Sequence, residues 1–124
     1  MLRPKIAVLV SGGGTNLQAL LDAARAGALS SGDIALVVSS RPGVYALERA
    51  RAAGVPAVVV PRKGRSAGDF ERELLDTLAA HGIDLVVLAG FLCILSPDFI
   101  ARYEGRIVNV HPSLLPAFGG RGFY

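Results

Sequence analysis

The sequence contains no tryptophan, one cysteine and one methionine among its 124 residues. A single thiol, Cys93, excludes an intramolecular disulfide and a cysteine-rich metal site. No apolar run approaches the ~20 residues that a membrane-spanning helix requires. Met1 to Lys5 followed by Ile6 to Val10 has the basic-then-apolar order of a secretory signal. The apolar part is too short, however, against the ~7–15 residues of a signal's hydrophobic region. A soluble cytoplasmic protein is therefore expected. Blocks of like charge, internal repeats and linkers are also missing. With 52% apolar and 19% charged residues, general disorder is excluded. The 13 basic residues are scattered and do not alternate with aromatic ones, so nucleic acid is not an expected partner. The net charge of +3 is either ordinary surface charge or a mild field that draws a small anionic substrate. The length suits one domain, taken as residues 1–124.

What is present is a regular alternation. Continuous apolar runs at Ile6–Val10, Ile34–Val38, Ala57–Val60 and Leu85–Ala89, and the mostly apolar Ile107–Val110, predict strands buried on both faces. Between them, apolar residues recur at helical spacing: Leu17, Leu20, Leu21 and Ala24; Tyr45 to Ala53; and Phe70, Leu74, Leu75, Leu78 and Ala79. Arg62 to Gly68 reads as a loop, and Ser96-Pro97-Asp98 as the start of a short helix. Strands alternating with helices predict an open α/β sheet, mainly parallel. Ligands bind such sheets at the carboxyl ends of the strands. That rule selects Ser11 to Asn16, Ser39 to Gly43, Gly90 to Leu95 and Asn109 to Pro116.

In Ser11-Gly12-Gly13-Gly14-Thr15-Asn16, glycines join a strand to a helix. A backbone of this kind approaches a ligand closely, and the helix start offers free N–H groups to an anion such as phosphate. The alternative is a glycine-rich turn capped by Thr15 or Asn16. A dinucleotide fingerprint is only half matched, because Leu17 stands where its third glycine belongs. Ser39-Ser40 also stands where that fold would place an acidic residue. In Asn109-Val110-His111, residues i and i+2 of an extended segment share a face. Asn109 there suits an oxyanion and His111 suits proton transfer, which together fit acyl transfer. The alternative is a histidine that caps a turn before Pro112. Phe91 to Leu95 forms an apolar segment beyond a strand, either a pocket for a flat ring or a buried connection. Cys93 within it reads as a packing thiol, and His81 as a partner of a helix end.

Together these segments resemble the phosphoribosylglycinamide formyltransferases. Val10 to Leu20 is similar to that family's phosphate loop, Leu85 to Pro97 to its folate-pocket segment, and Asn109 to Phe118 to its catalytic strand and turn. The resemblance implies a Rossmann-like formyltransferase fold with helices on both faces of the sheet. It implies transfer of a formyl group from 10-formyltetrahydrofolate, a cosubstrate, to the amine of 5'-phosphoribosylglycinamide, with no metal. By the same resemblance Asn109 and His111 are catalytic. Gly14, Thr15 and Asn16 hold the acceptor's phosphate. Leu92, Cys93, Ile94 and Leu95, with Asn109, hold the folate. Ala67 stands where the family has a folate-contacting arginine. Family members are longer, so the resemblance also implies that a catalytic carboxylate and further strands lie beyond Tyr124, and that transfer by the 124-residue chain alone is impaired. The alternatives are a binding module that keeps only the phosphate site, or another formyltetrahydrofolate enzyme such as a deformylase or methionyl-tRNA formyltransferase. The oligomeric state is not legible.

Overall fold

The computed structural model describes residues 3–110. The elements follow the order β1 (Lys5–Val10), α1 (Thr15–Arg25), β2 (Asp33–Ser39), α2 (Tyr45–Ala52), β3 (Ala57–Val59), α3 (Ala67–Ala80), β4 (Leu85–Leu88), α4 (Pro97–Arg102) and β5 (Ile107–Asn109). The five strands form one sheet in the order β3-β2-β1-β4-β5, and every pairing is parallel. Strand ends differ from the apolar runs by a residue because ladder-type bonds continue past them. Ala89 N–H donates to the Leu9 carbonyl, and Val110 N–H to that of Leu88.

Side chains alternate across each strand, so the sheet feeds two cores. Ile6, Val8 and Val10 of β1 pack with Leu17, Leu20 and Leu21 of α1 and with Ala46 and Ala50 of α2. Ala7 and Leu9 face the other way, onto Phe70, Leu74 and Leu78 of α3 and Phe99 and Tyr103 at α4. Helices therefore cover both faces, two on each. Burial raises the Tyr103 hydroxyl above its ordinary pKa; nearby Arg106 opposes the shift and Asp84 adds to it.

Local chemistry sets the helix starts. Ser96 caps α4 by accepting from Phe99 N–H, with Pro97 in the first turn as expected. Ser66 caps α3 in the same way, accepting from Asp69 N–H. The helix therefore begins at Ala67, and the loop expected through Gly68 ends at Ser66. A serine followed three residues later by an acid is a helix-start signal that outweighs the glycine.

Candidate active site

β1 lies between β2 and β4, and the chain runs out to β3 before crossing back to β4. The crevice beyond the carboxyl ends of β1 and β4 is the switch point of the sheet, where such folds bind ligands. Ser11, directly after β1, is 1% exposed and ties this edge together. Its hydroxyl shares a 2.6 Å hydrogen bond with the Ser40 hydroxyl and accepts one of 3.0 Å from Leu92 N–H. Three loops, from the ends of β1, β2 and β4, thus meet at one buried oxygen.

The glycines between β1 and α1 are not equivalent. Gly14 caps α1 at φ 84°, in the left-handed region. A Cβ there would lie 2.8 Å from the Ala46 Cβ and 2.9 Å from its Cα, so both conformation and contact with α2 demand glycine. Among the described residues, Cβ atoms at Gly12 and Gly13 would meet nothing within 4 Å. Nothing among those residues requires glycine at these two positions. Neither Thr15 nor Asn16 caps the helix; Gly14 takes that place, with no side-chain cap. No acidic residue sits in the first turn of α1. Its positive end is therefore left for a ligand or water to satisfy. Thr15 is exposed and Asn16 half-buried beside it.

Arg49 of α2 fixes the loop from the side. Its Nε donates to the Gly13 carbonyl at 2.8 Å, and Nη1 donates to Gln18 Oε1 at 3.2 Å. The guanidinium also lies 4.8 Å from the Tyr45 ring centroid. Binding the Gly13 carbonyl fixes that peptide's orientation and puts a positive charge next to the helix start.

On the other side of the edge is a cavity of about 250 Å³. Phe91, Cys93, Ile94, Leu95 and Asn109 line it over Leu88 and Ile107. Asn109 is the last residue of β5, half-buried and paired with Leu88. Among the described residues, it sets one carboxamide against an otherwise apolar wall. Ile94 stands at the mouth, 90% exposed. Leu92 does not line this cavity: it is 77% exposed and borders a second one. The four residues taken together as the folate segment are thus divided between two hollows. Cys93 packs against the α3 and α4 core, in keeping with a packing thiol, and borders both.

Glu71 of α3 anchors the far end of that segment. Its buried carboxylate accepts from Ser96 N–H at 2.7 Å and from the Ser96 hydroxyl at 2.5 Å. Glu71→Ala removes both bonds and leaves two donors without their partner. We expect a loss of about 2–4 kcal/mol, read by urea unfolding. Faster amide exchange at Ser96 and Phe99 should accompany it. Glu71→Gln keeps an acceptor and should recover part of the loss. Equal stability of Glu71→Ala and the parent chain would contradict this role.

The structure brings Gly14, Thr15, Asn16, Leu92 to Leu95 and Asn109 to one edge of the sheet. His111 lies outside the described residues. Among the described residues, no group of three or more His, Cys, Asp or Glu could hold a metal ion. His81 Nδ1 lies 2.9 Å from the Thr77 carbonyl at the end of α3, as expected of a helix-end partner. Arg49 and Glu71 were missed by sequence reasoning, and Ser11 fell within the selected segment without its partners being foreseen. Their partners lie between 25 and 81 residues away, so no local pattern marks them, apart from the short Arg49–Tyr45 contact.

The family model for formyl transferase matches residues 4–123. The chain is similar to the trifunctional purine biosynthetic protein adenosine-3 of Drosophila melanogaster, 46% identical over 120 residues. That match covers 95% of this chain and 9% of the fly protein. It is 44% identical over 121 residues to the phosphoribosylglycinamide formyltransferase of Haemophilus influenzae, covering 97% of this chain and 57% of that one. In three dimensions it is similar to glycinamide ribonucleotide transformylase 1 of Symbiobacterium toebii, with a TM-score of 0.82 and 45% identity, over 96% of this chain and 56% of that one. The chain thus spans little more than half of these two bacterial enzymes. With both the sequence model and the sheet architecture in agreement, the chain belongs to the formyl transferase family.

Proposed function

We propose that this chain serves the transfer of a formyl group from 10-formyltetrahydrofolate to the amine of 5'-phosphoribosylglycinamide. The observation that carries this reading is the pairing at one sheet edge of an uncapped helix start with an apolar cavity ending in Asn109. The N–H groups of Gly14, Thr15 and Asn16 suit the acceptor's phosphate. Open space at Gly12 and Gly13 lets an anion come close to the backbone. The apolar cavity suits the flat ring of the folate, whose edge then meets backbone groups of Cys93 to Leu95.

This reading entails the following chemistry. The acceptor amine attacks the formyl carbon, and the carbonyl electrons move to oxygen. The Asn109 carboxamide donates to that oxyanion. When the tetrahedral centre collapses, the bond to the folate nitrogen breaks, and His111 returns a proton to that nitrogen. The acceptor keeps the formyl group and gives up one proton, which passes through water to replace the one His111 has donated. No metal enters this sequence of steps.

Calorimetry tests the reading against that of a phosphate-only module. The chain should bind both the ribonucleotide and 5-formyltetrahydrofolate, a stable folate analogue. Ribonucleotide binding with no folate binding would favour the module. Failure to bind the ribonucleotide would overturn the proposed acceptor.

A further inference from the structure

Among the described residues, Arg49 is the one charged side chain that bonds the glycine loop between β1 and α1. It is half-buried and held on three sides. The Gly13 carbonyl and the Tyr45 ring are two of these. Gln18 is the third, and its amide is itself oriented: Nε2 donates to Asp22 Oδ1 at 2.9 Å, which turns Oε1 to Arg49. No acid among the described residues pairs with this guanidinium. Glu48, its neighbour on α2, is taken by Arg51. Arg49 therefore keeps its full positive charge beside the uncapped start of α1.

The bond to Gly13 has a second effect. In a trans peptide the carbonyl and the following N–H point in opposite directions. Drawing the Gly13 carbonyl onto α2 turns the Gly14 N–H away from α2, to the open side of the loop. That N–H has no acceptor among the described residues. It joins the N–H groups of Thr15 and Asn16, which precede the first intrahelical bond, from Gln18 N–H to the Gly14 carbonyl. We infer that Arg49 is the positioning residue of the phosphate site. It presents the Gly14 N–H to the anion, and its unneutralised charge behind the loop favours the doubly ionised phosphate over the singly ionised one. The inference rests on the reading of this loop as the phosphate site, and Arg49 acts through the Gly13–Gly14 peptide without touching the ligand.

The test is calorimetry on the 124-residue chain with 5'-phosphoribosylglycinamide at about pH 5 and about pH 7.5, on either side of the second phosphate ionisation near pH 6. The parent chain should bind about tenfold more tightly at the higher pH. In Arg49→Gln, affinity at the higher pH should fall about tenfold and the preference for that pH should shrink. Arg49→Lys keeps the charge but not the planar fork, so it should keep the pH preference and recover part of the affinity. Arg51→Gln removes an equal charge from the same helix, exposed and away from the loop, and should change affinity less than about twofold. Amide NMR of the free chain gives a readout that a general loss of stability does not. The Gly14 resonance should shift in Arg49→Gln, while those of Leu74 and Phe99, in the other core, stay in place. If the parent chain binds and Arg49→Gln binds equally well, the inference is overturned and the phosphate reading stands. Equal weakening at both pH values in Arg49→Gln, with no recovery in Arg49→Lys, makes Arg49 a packing residue only and also overturns it. A parent chain that does not bind the ribonucleotide removes the phosphate reading, and the inference with it.

Discussion

Asn109→Ala should lower kcat for formyl transfer about 10²- to 10³-fold. The measurement is made on this chain joined to the part of the Haemophilus influenzae enzyme that it does not span. Asn109 ends β5 at the wall of the apolar cavity, where, among the described residues, its carboxamide is the one strongly polar side chain. A donor that bonds an oxyanion more strongly than a carbonyl acts on the barrier, so the loss belongs in kcat and the KM for the ribonucleotide should hold. Asn109→Asp keeps the size but offers a negative charge to a developing negative oxygen, and should be at least as poor. A kcat within about threefold of the parent for the alanine variant would remove Asn109 from the reaction.

Asn109 stood out in the sequence as a candidate because it is the one polar residue in Ile107–Val110 and precedes a histidine by two residues. The strands were legible for a related reason. A strand covered on both faces is apolar along most of its length, and four unbroken runs stand out, with Ile107–Val110 broken only by Asn109. Ser96-Pro97 marked its helix correctly, and the start of α3 was misplaced only because Gly68 suggested a loop. The rest of the site depends on contacts between elements. Nothing near Ser11 announces Ser40 or Leu92 as partners, and nothing near Gly13 announces Arg49. The division of the Phe91 to Leu95 segment between two hollows is likewise set by the side chains facing it, from β5 on one side and from the loops after β1, β2 and β3 on the other.

Gly14→Ala should cost the fold about 2–5 kcal/mol and lower Tm by about 10 °C or more. Two penalties combine. A left-handed conformation costs an L-residue about 1–2 kcal/mol. The new Cβ would also press on Ala46, a fully buried residue whose Cα lies 2.9 Å away. Crowding of this kind adds about 1–3 kcal/mol, because backbone cannot move aside as a flexible side chain would. Gly13→Ala is the contrast. With nothing within 4 Å, it should keep Tm within about 2 °C. Any loss of phosphate binding in Gly13→Ala then reports on the ligand's approach and not on folding. Thermal melts of the two variants side by side decide the matter; an unchanged Tm in Gly14→Ala would show that α2 yields easily.

The two cores also bear on how this site can change. The glycine loop rests on the core under α1 and α2, whereas the apolar cavity belongs to the core under α3 and α4. Leu20 and Leu74 lie in different cores. Alterations to residues this far apart combine additively when they share no partners. The glycine loop and the apolar cavity can therefore drift separately over generations, each repacking against its own layer, while Ser11 keeps their mouths in line.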